Sequence, residues 1–359
     1  MKVLVIGAGN GGAAAAVELT QAGHNVTLYA RSEETLAPFR RDGIRFAGVL
    51  GEGRVRPAAI TTGLGEAVRD QHAVVVALPT FAHAGVAQAL HAAGWDARRP
   101  IILNPGHTGG ALEVETVFRR LGAAVPPIVE FATLSYVARK PEPDFVNVTG
   151  RAKALRAAAL PGCSDALEIA CALFPGAYDT GDVIASDLSN VNMVIHPPGA
   201  MLGAAWVEAT GGDFTFYVQG MTPGVIGVMR GLDAERRAIA RAFGHELPTI
   251  IAEMRAIGTV PPDAQDDDYL AIAAGEANRK IKAPDSLRHR YYMEDFAHGL
   301  VPLLVYARLA DVPTPTALAL VELHASMTRD LPKPAMRDAA AMGLENATMD
   351  MLQRRAGIR

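Results

Sequence analysis

Two stretches in the second half of the chain combine residue types that could carry out acid–base and anion-binding chemistry. The first, residues 187–198, contains Asn192 and His196, which are four positions apart. In a helix this spacing places both side chains on one face. Pro197 and Pro198 follow at once, and because proline disfavours helical geometry in the residue before it, we expect a long helix to kink or break there. A histidine in this setting could exchange protons near neutral pH, and a structural histidine is the alternative.

The second stretch, residues 288–296, brings cations, phenols and carboxylates together in a part of the chain that is otherwise apolar. It contains Arg290, Tyr292 and Asp295. A guanidinium can bind a carboxylate through two parallel hydrogen bonds, and a buried carboxylate can fix the tautomer of a neighbouring imidazole. A basic helix start with ordinary salt bridges is the alternative, and the pattern alone does not decide between the two.

A third stretch, at the start of the chain, has the spacing of a dinucleotide-binding loop. Residues 3–6 are apolar and predict a strand buried on both faces, and a helix of small residues follows from about residue 11 to residue 22. Between them the spacing G-x-G-x-x-G permits a tight turn, the approach of a pyrophosphate and close packing of helix on strand. The start of the helix then offers N–H groups to phosphates. The residues expected to bind the cofactor are Gly7, Gly9, Asn10, Gly11 and Gly12.

The end of the second predicted strand, residues 25–30, indicates which dinucleotide is bound. An NAD site is expected to place an acidic residue here for the ribose hydroxyls. The chain has Ala30 instead, followed by Arg31 and Ser32. Because a guanidinium and a hydroxyl can both bind a 2′-phosphate, the sequence favours NADP(H), with NAD(H) as the other possibility.

Further candidates for cofactor binding follow the next predicted strands of the first half. Pro79 comes after the strand 74–78, and Asn104 comes after the strand 101–103. The carboxyl ends of parallel strands face the cofactor crevice in such sheets, so we expect both residues to contact the cofactor. Asn104 could bind the ribose or the nicotinamide amide. Thr133 is expected near the nicotinamide, where it would contact substrate.

The order of predicted elements indicates an α/β fold with two domains. Strands and helices alternate through the first half, and segments 128–134, 136–140 and 144–148 are interpreted as the last strands of the sheet, some of them antiparallel. From residue 186 onward no strand is predicted. We expect an N-terminal Rossmann-type doubly wound sheet over residues 1–182, followed by an all-helical domain over residues 183–359. Helices are predicted over 188–208, 233–243, 249–257 and 293–309.

Composition excludes several classes of function. The net charge of −4 and the pI near 6.2 give no attraction to nucleic acid or to an anionic membrane. The only cysteines, Cys163 and Cys171, match no metal-ligand spacing, so no metal is expected. The N-terminal apolar run is too short for a secretory signal, and we expect a cytoplasmic protein.

Four stretches together resemble the octopine/opine dehydrogenase family. They are the glycine-rich loop 7–12, the segment 104–113 (NPGHTGGALE), the segment 189–197 (SNVNMVIHP) and the segment 290–302 (RYYMEDFAHGLVP). The resemblance implies a Rossmann-type domain joined to a helical domain. It implies that the amine of an amino acid condenses with a 2-oxo acid and that NAD(P)H reduces the imine to a secondary amine dicarboxylate. A homodimer is a further expectation at the level of the family.

The resemblance also implies roles for individual residues. His196 corresponds to the catalytic histidine, Asp295 to the aspartate that orients it, and Arg290 to the arginine that binds the substrate carboxylate. Asn192 is expected to orient the substrate or the nicotinamide amide. Tyr292 is expected either to line the amino-acid pocket or to pack in the core.

Two other functions are compatible with a nucleotide-binding loop. The first is a simple 2-oxo or 3-hydroxy acid reductase of the ketopantoate reductase type, which would use a lysine as general acid. The candidates in the second half, Lys280, Lys282 and Lys333, lie in no motif. The second is a regulator that senses the cofactor without catalysis, which would need no set of histidine, aspartate and arginine.

Overall fold

A computed structural model describes residues 1–275 and 278–358, which form two compact units. The first unit comprises Met1–Gly106 and Gly110–Thr180, and the second comprises His107–Gly109 and Gly181–Arg359. Within the described residues every strand lies in the first unit, and the second unit is helical apart from an isolated bridge between Thr215 and Lys282. The predicted fold class, a Rossmann-type α/β part followed by a helical part, is therefore confirmed.

The strands of the first unit form two separate sheets. In chain order they are β1 (Lys2–Ile6), β2 (Asn25–Tyr29), β3 (Ile44–Gly48), β4 (Gly53–Val55), β5 (Ala59–Thr61), β6 (Ala73–Val76), β7 (Ile101–Leu103), β8 (Ile128–Phe131), β9 (Tyr136–Glu142), β10 (Phe145–Arg151), β11 (Leu155–Ala159) and β12 (Ala177–Asp179). The larger sheet has eight strands in the order β12-β11-β8-β7-β6-β1-β2-β5, and the smaller has four in the order β4-β3-β10-β9.

The centre of the larger sheet is parallel and fully buried. β1 pairs in parallel with β2 on one side and β6 on the other, and Val3, Leu4 and Val5 have no exposed surface. Strands covered on both faces are expected to be continuously apolar, which is why the run 3–6 is a reliable strand signal. The helices of this unit are α1 (Asn10–Gln21), α2 (Glu33–Asp42), α3 (Leu64–Ala67), α4 (His83–Ala92), α5 (Gly110–Arg120), α6 (Ser164–Leu173) and a 3₁₀ turn at Thr80–Ala82.

The prediction that segments 136–140 and 144–148 end the main sheet is wrong. They lie in β9 and β10, an antiparallel pair that belongs to the smaller sheet together with β3 and β4. Of the three predicted edge segments, only 128–134 contributes a strand to the larger sheet, and the antiparallel strand beside it is β11, which was not predicted. The physical difference lies in burial, because Tyr136 and Ala138 are buried, whereas Val137 between them is half-buried and Arg139 after them is exposed. A strand with one solvated face belongs to a sheet that packs on one side only.

The second unit contains ten α-helices among the described residues. They are α7 (Val183–Asp187), α8 (Asn192–Leu202), α9 (Ala204–Thr210), α10 (Pro223–Ala242), α11 (Ile250–Ile257), α12 (Ala271–Ala274), α13 (Arg290–Met293), α14 (Val301–Leu309), α15 (Pro315–Met327) and α16 (Met349–Ala356). A π-helix, Phe296–Leu300, stands between α13 and α14. No helix in this part of the chain or elsewhere in the described residues has the length and apolar character needed to cross a membrane.

The helix expected over 188–208 is divided, but not where the prolines suggested. α8 begins at Asn192 and continues through Pro197 and Pro198 to Leu202, so of the predicted kink or break after His196 the helix shows no break. The fixed φ of proline is compatible with a helix, and its cost is the loss of hydrogen-bond donors and a clash with the preceding turn. Every residue from 193 to 201 is buried, and we infer that this packing holds the helix together.

A buried charge network in α10 fixes the chain just before α8. Arg236 is fully buried, and its guanidinium donates to Asp233 Oδ1 at 2.8 Å, to the carbonyl of Leu188 at 2.8 Å and to the carbonyl of Pro248 at 2.6 Å. The second oxygen of Asp233 accepts from the backbone N–H of Ile250 at 3.1 Å. Because each buried charge has hydrogen-bond partners, these partners offset the free-energy cost of burying it. The network also anchors the segment that leads into α8.

Candidate active site

The second unit holds a buried histidine–aspartate pair. His196 Nδ1 lies 2.8 Å from Asp295 Oδ2, although the two residues are 99 positions apart in the chain. His196 is 5% exposed and Asp295 is 1% exposed. Burial alone would raise the pKa of the Asp295 carboxyl, but the His196 imidazole and the Arg290 guanidinium hold that pKa below its usual value. Asp295 is therefore an anion at neutral pH.

Aromatic side chains enclose the imidazole of His196. The ring of Tyr291 stacks on it, with centroids 3.7 Å apart and planes 20° apart, and Phe216 meets it edge-on at 6.0 Å. The hydroxyl of Tyr217 lies 3.0 Å from His196 Nε2, and burial raises the pKa of this phenol well above its usual value. Because Asp295 accepts at Nδ1, the network assigns the proton to Nδ1 and leaves Nε2 to accept from Tyr217.

Arg290 opens α13, one turn before Asp295. Its Nε lies 3.1 Å from Glu294 Oε2, which is 1% exposed, whereas the arginine side chain is 46% exposed. The short helix begins after His289, whose side chain accepts from the N–H of Tyr291. A half-exposed guanidinium beside one carboxylate retains the fork geometry that recognises a second carboxylate.

The π-helix after Asp295 sets the direction of this segment. The N–H of Leu300 donates to the carbonyl of Asp295 at 3.1 Å, five residues back. One more residue per turn rotates the chain relative to an α-helix, and π-helical turns are frequent at functional sites. The continuous helix predicted over 293–309 is consequently interrupted at Phe296–Leu300.

Asn192 lies beside a buried histidine that sequence reasoning gave no role. Its Nδ2 is 3.4 Å from His107 Nε2, and burial lowers the pKa of His107 to about 4. His107 also has a φ of +55°, a conformation that non-glycine residues rarely adopt. The available signal was a histidine in the glycine-rich loop, residues 104–110, that follows a buried strand.

The tripeptide 107–109 is fixed by buried polar contacts. The N–H of Gly109 donates to Asp187 Oδ1 at 2.7 Å, and the Thr108 hydroxyl donates to the Asp187 carbonyl at 3.1 Å. Arg337, which is fully buried, donates from Nη1 to the Thr108 carbonyl at 2.9 Å. These bonds set the position of His107.

The two tyrosines after Arg290 have different environments. Tyr291 stacks on His196, whereas Tyr292 is fully buried and its hydroxyl donates to the carbonyl of Ala200 at 2.7 Å. The structure thus favours core packing over pocket lining for Tyr292. Tyr217 was missed altogether, and its only sequence signal is the aromatic segment Phe214–Tyr217.

The glycine-rich loop of the first unit has the shape that a pyrophosphate needs. A Cβ on Gly12 would lie 1.9 Å from the carbonyl oxygen of Gly7, so no side chain fits there. A Cβ on Gly7 would lie 2.5 Å from the Ala77 carbonyl oxygen, and a Cβ on Gly11 would lie 2.9 Å from a methyl of Leu134. A Cβ on Gly9 would meet nothing within 4 Å, which leaves open space at the start of α1.

Asn104 offers a second sign that the first unit fits a dinucleotide. Its Oδ1 accepts from the N–H of Ser135 at 3.0 Å and from the hydroxyl of Ser135 at 3.1 Å. Its Nδ2 is buried and has no partner among the residues that the structure describes. A buried amide donor of this kind fits a carbonyl or hydroxyl oxygen of a bound cofactor or substrate.

Thr133, the residue expected near the nicotinamide, is buried two residues before Ser135.

The remaining predicted cofactor residues lie at the surface of the first unit. Arg31 is exposed between β2 and α2, and Ser32 caps α2 by accepting from the N–H of Thr35 at 3.3 Å. The Ser32 hydroxyl can still donate to a ligand. Pro79 is exposed in the turn after β6, and Asn10 begins α1 and accepts from the N–H of Lys140 at 2.9 Å.

Comparison with known proteins now identifies the family. The chain is 33% identical over 355 residues to an opine dehydrogenase of Arthrobacter sp. (strain 1C), which covers 96% of this chain and 97% of the relative. The chain belongs to the opine dehydrogenase family. The family described as NAD/NADP octopine/nopaline dehydrogenase, alpha-helical domain, matches residues 180–328, and the ketopantoate reductase PanE/ApbA family matches residues 3–103.

Solved structures share the fold of this chain. An octopine dehydrogenase in complex with NADH and agmatine has a TM-score of 0.78 at 20% identity, covering 99% of this chain and 98% of that one. An NADP⁺-bound yersinopine dehydrogenase has a TM-score of 0.71 at 16% identity, covering 95% and 94%. The resemblance inferred from the four motifs is confirmed, and the protein is an NAD(P)-dependent oxidoreductase acting on CH–NH bonds.

The buried histidines predict how stability depends on pH. Burial holds the pKa of His107 at about 4 and that of His298 at about 2, against about 6.5 in an unfolded chain. Between those values the unfolded chain binds protons that the folded protein does not, so the free energy of unfolding falls as the pH drops below about 6.5. Each histidine contributes a slope of up to about 1.4 kcal/mol per pH unit.

Urea denaturation of the wild type and His298→Leu from about pH 8 to about pH 5 measures this slope. On acidification the free energy of unfolding of the variant is expected to fall less steeply than that of the wild type, by the contribution of about one bound proton. Above about pH 7 the plots of this free energy against pH should run parallel for the two proteins. Curves that stay parallel down to pH 5 would contradict a neutral, buried His298.

Proposed function

We propose that this protein joins the amine of an L-amino acid to a 2-oxo acid such as pyruvate and reduces the resulting imine to a secondary amine dicarboxylate. The observation that carries the proposal is the buried His196–Asp295 pair, with Arg290 on the same short segment as the aspartate. The family of the chain supports the reaction class. The residue roles and substrates are our proposal.

In this mechanism Arg290 binds the carboxylate of the 2-oxo acid. The guanidinium is half-exposed and next to the buried Glu294, so it is held at one side and open to ligand at the other. Two parallel hydrogen bonds would fix the orientation of the carbonyl carbon and so the face that is reduced. Asn192 would orient the second substrate or the nicotinamide amide.

His196 would move the protons that the condensation requires. The amine attacks the carbonyl, and the carbinolamine must then lose water, which requires a proton on its oxygen. His196 Nε2 would accept the proton that the nitrogen loses after its attack and would then deliver it to this oxygen, and the Asp295 anion at Nδ1 would stabilise the imidazolium in between. Tyr217 occupies the hydrogen-bonding position at Nε2. The bound dinucleotide supplies the hydride that reduces the imine carbon.

The simple reductase alternative needs a lysine as general acid. Lys282 is 65% exposed and its ammonium lies 2.7 Å from Asp213, and Lys280 and Lys333 are exposed. These environments are those of surface lysines, and nothing in them favours proton transfer in a buried site. We therefore retain the opine reaction as the proposal.

One prediction of the proposed reaction concerns the need for two substrates. Oxidation of NADPH or NADH should require an amino acid and a 2-oxo acid together, because neither alone can form the imine. A pairwise screen of amino acids against pyruvate and related oxo acids, followed at 340 nm, measures this. Turnover with an oxo acid alone, unchanged by added amine, would overturn the proposal in favour of the simple reductase. Binding without turnover would favour a sensor.

Another prediction of the proposed reaction concerns Asp295. Asp295→Asn keeps the shape of the side chain but removes the anion, so kcat should fall by about 10²–10⁴-fold. A matched control exists in the same unit, where Asp182 Oδ2 lies 3.0 Å from His245 Nε2. Asp182→Asn should leave kcat nearly unchanged, because asparagine also caps α7 well. Equal losses in the two variants would indicate a general effect on folding.

We also propose a preference for NADP(H) over NAD(H). Arg31 is exposed at the carboxyl end of β2, and Ser32 next to it carries a hydroxyl that can donate. A charge-assisted contact to the 2′-phosphate is worth about 1.5–3 kcal/mol. NAD(H) lacks that group and would gain nothing from Arg31.

Arg31→Ala should therefore raise the dissociation constant of NADPH by about tenfold or more, with little change for NADH. Fluorescence titration of each cofactor measures it. Arg98→Ala is the control, because Arg98 precedes β7 and so lies at the amino end of the parallel strands. A loss of both cofactors to the same extent in Arg31→Ala would contradict recognition of the 2′-phosphate.

The cellular location and the assembly of the protein also remain proposals. We propose a homodimer in the cytoplasm that acts on small molecules and binds no nucleic acid and no membrane, in agreement with the net charge of −4. Light scattering of the purified protein measures the mass in solution. A monomer would contradict the dimer without affecting the proposed reaction.

A further inference from the structure

The small sheet of the first unit reaches the glycine-rich loop through one lysine. The backbone N–H of Lys140, in β9, donates to Asn10 Oδ1 at 2.9 Å. The side chain of the same lysine donates from Nζ to the carbonyl of Ala8 at 3.2 Å. Ala8 stands between Gly7 and Gly9, so the ammonium of Lys140 lies at the turn that precedes α1.

A second set of contacts fixes β9 against α1. Glu18, on α1, accepts from the hydroxyl of Tyr136 at 2.5 Å and from Arg151 Nε at 2.6 Å. Tyr136 opens β9 and Arg151 closes β10, so this carboxylate joins both strands to the helix. The strand is thus attached to α1 at Asn10 and again at Glu18. These attachments hold Lys140 beside the loop, so the position of its backbone does not depend on the contact that its own side chain makes with Ala8.

The charge of Lys140 is not matched by a carboxylate. Among residues 1–275 and 278–358 it forms no ion pair, and its ammonium lies over the ring of Phe39 at 4.2 Å from the centroid. Burial lowers the pKa of Lys140, with only a partial offset from Asp144. A half-buried cation that contacts a carbonyl oxygen and an aromatic face gains strongly from an anion.

The loop beside Lys140 has room for that anion. Gly9 has open space where a Cβ would stand, and the first turn of α1 presents its N–H groups there. We propose that Lys140 is a cofactor-binding residue whose ammonium pairs with the pyrophosphate of the dinucleotide, exchanging the carbonyl of Ala8 for a phosphate oxygen. The inference rests on the dinucleotide binding of the proposed function and is independent of the substrates.

The position of Lys140 favours the pyrophosphate over the 2′-phosphate as the group that its ammonium binds. The lysine contacts Ala8, inside the loop that a pyrophosphate approaches, whereas the candidate for the 2′-phosphate, Arg31, follows β2. A ligand of the pyrophosphate should affect NADPH and NADH equally, because both cofactors contain it. A ligand of the 2′-phosphate should affect NADPH only.

The test is direct binding of both cofactors to Lys140→Met, Lys140→Arg and Arg139→Met. Methionine keeps the stem of the lysine but removes the charge, and Arg139 is the neighbouring cation whose side chain is on the exposed face of β9. Fluorescence titration should show that Lys140→Met binds NADPH and NADH about tenfold or more weakly. Lys140→Arg should retain most of the affinity, and Arg139→Met should match the wild type. Melting temperatures of all three should stay near that of the wild type.

Three results would overturn the assignment. The first is unchanged affinity in Lys140→Met, the second is a loss for NADPH alone, and the third is an equal loss in Arg139→Met, which would indicate a general effect of charge. Failure of the proposed reaction is distinguishable, because a simple reductase or a sensor would still bind both cofactors and the loss in Lys140→Met would still be measured. A wild type that binds neither cofactor would overturn the assignment of Lys140 together with the proposed function. A salt titration adds a readout, since the affinity of the wild type should fall more steeply with ionic strength than that of Lys140→Met.

Discussion

The hydrogen bond between His196 and Asp295 is the interaction that organises the helical unit. It joins α8 to the segment between α13 and the π-helix, and both partners are almost completely buried. A buried carboxylate is costly unless a cation or hydrogen-bond donors compensate it. The imidazole at 2.8 Å and the guanidinium of Arg290 are the groups that do so here. The same arrangement keeps the imidazole oriented, so the requirement of folding and the requirement of acid–base chemistry coincide.

Other buried polar contacts hold the elements that carry this pair. Arg236 fixes the carbonyl of Leu188 before α8, and Asp187 accepts from the hydroxyl of Tyr306 at 2.5 Å and from the backbone of Gly109. Each contact links segments that are distant in the chain. A core built from apolar residues alone would tolerate sliding of one helix along another, whereas directional bonds of this kind permit one arrangement.

The fold could be predicted from the sequence where burial leaves a periodic signal. The apolar run of β1, the glycine spacing after it and the lack of any predicted strand beyond residue 186 were sufficient for the fold class. The small sheet was missed because β9 and β10 carry the alternation of any half-buried strand, which does not specify the partner strand. The path of α8 through Pro197 was missed because packing overrides a local preference.

The candidate site was predictable in part. His196, Arg290 and Asp295 lie in motifs, and the structure brings His196 and Asp295 together. Tyr217 lies in no motif, and His107 lies in the segment 104–113 without a role that its spacing could assign, because the contacts of both residues join segments far apart in the sequence. Lys140 became a candidate only after its strand was placed beside Ala8. The spacing of residues in the sequence indicates which of them share one helix or loop. Contacts between residues on different elements can be identified only from the three-dimensional structure.

The assignment of His107–Gly109 to the helical unit has a consequence for dissecting the protein. The polypeptide enters the second unit after Gly106, leaves it before Gly110 and enters again after Thr180, so three peptide linkages rather than one connect the two units. A fragment that starts at Gly181 would lack the amide of Gly109 and leave Asp187 Oδ1 without that donor. Truncation at residue 180 therefore does not divide the chain into its two structural units, because residues 107–109 of the second unit are lost from the C-terminal fragment.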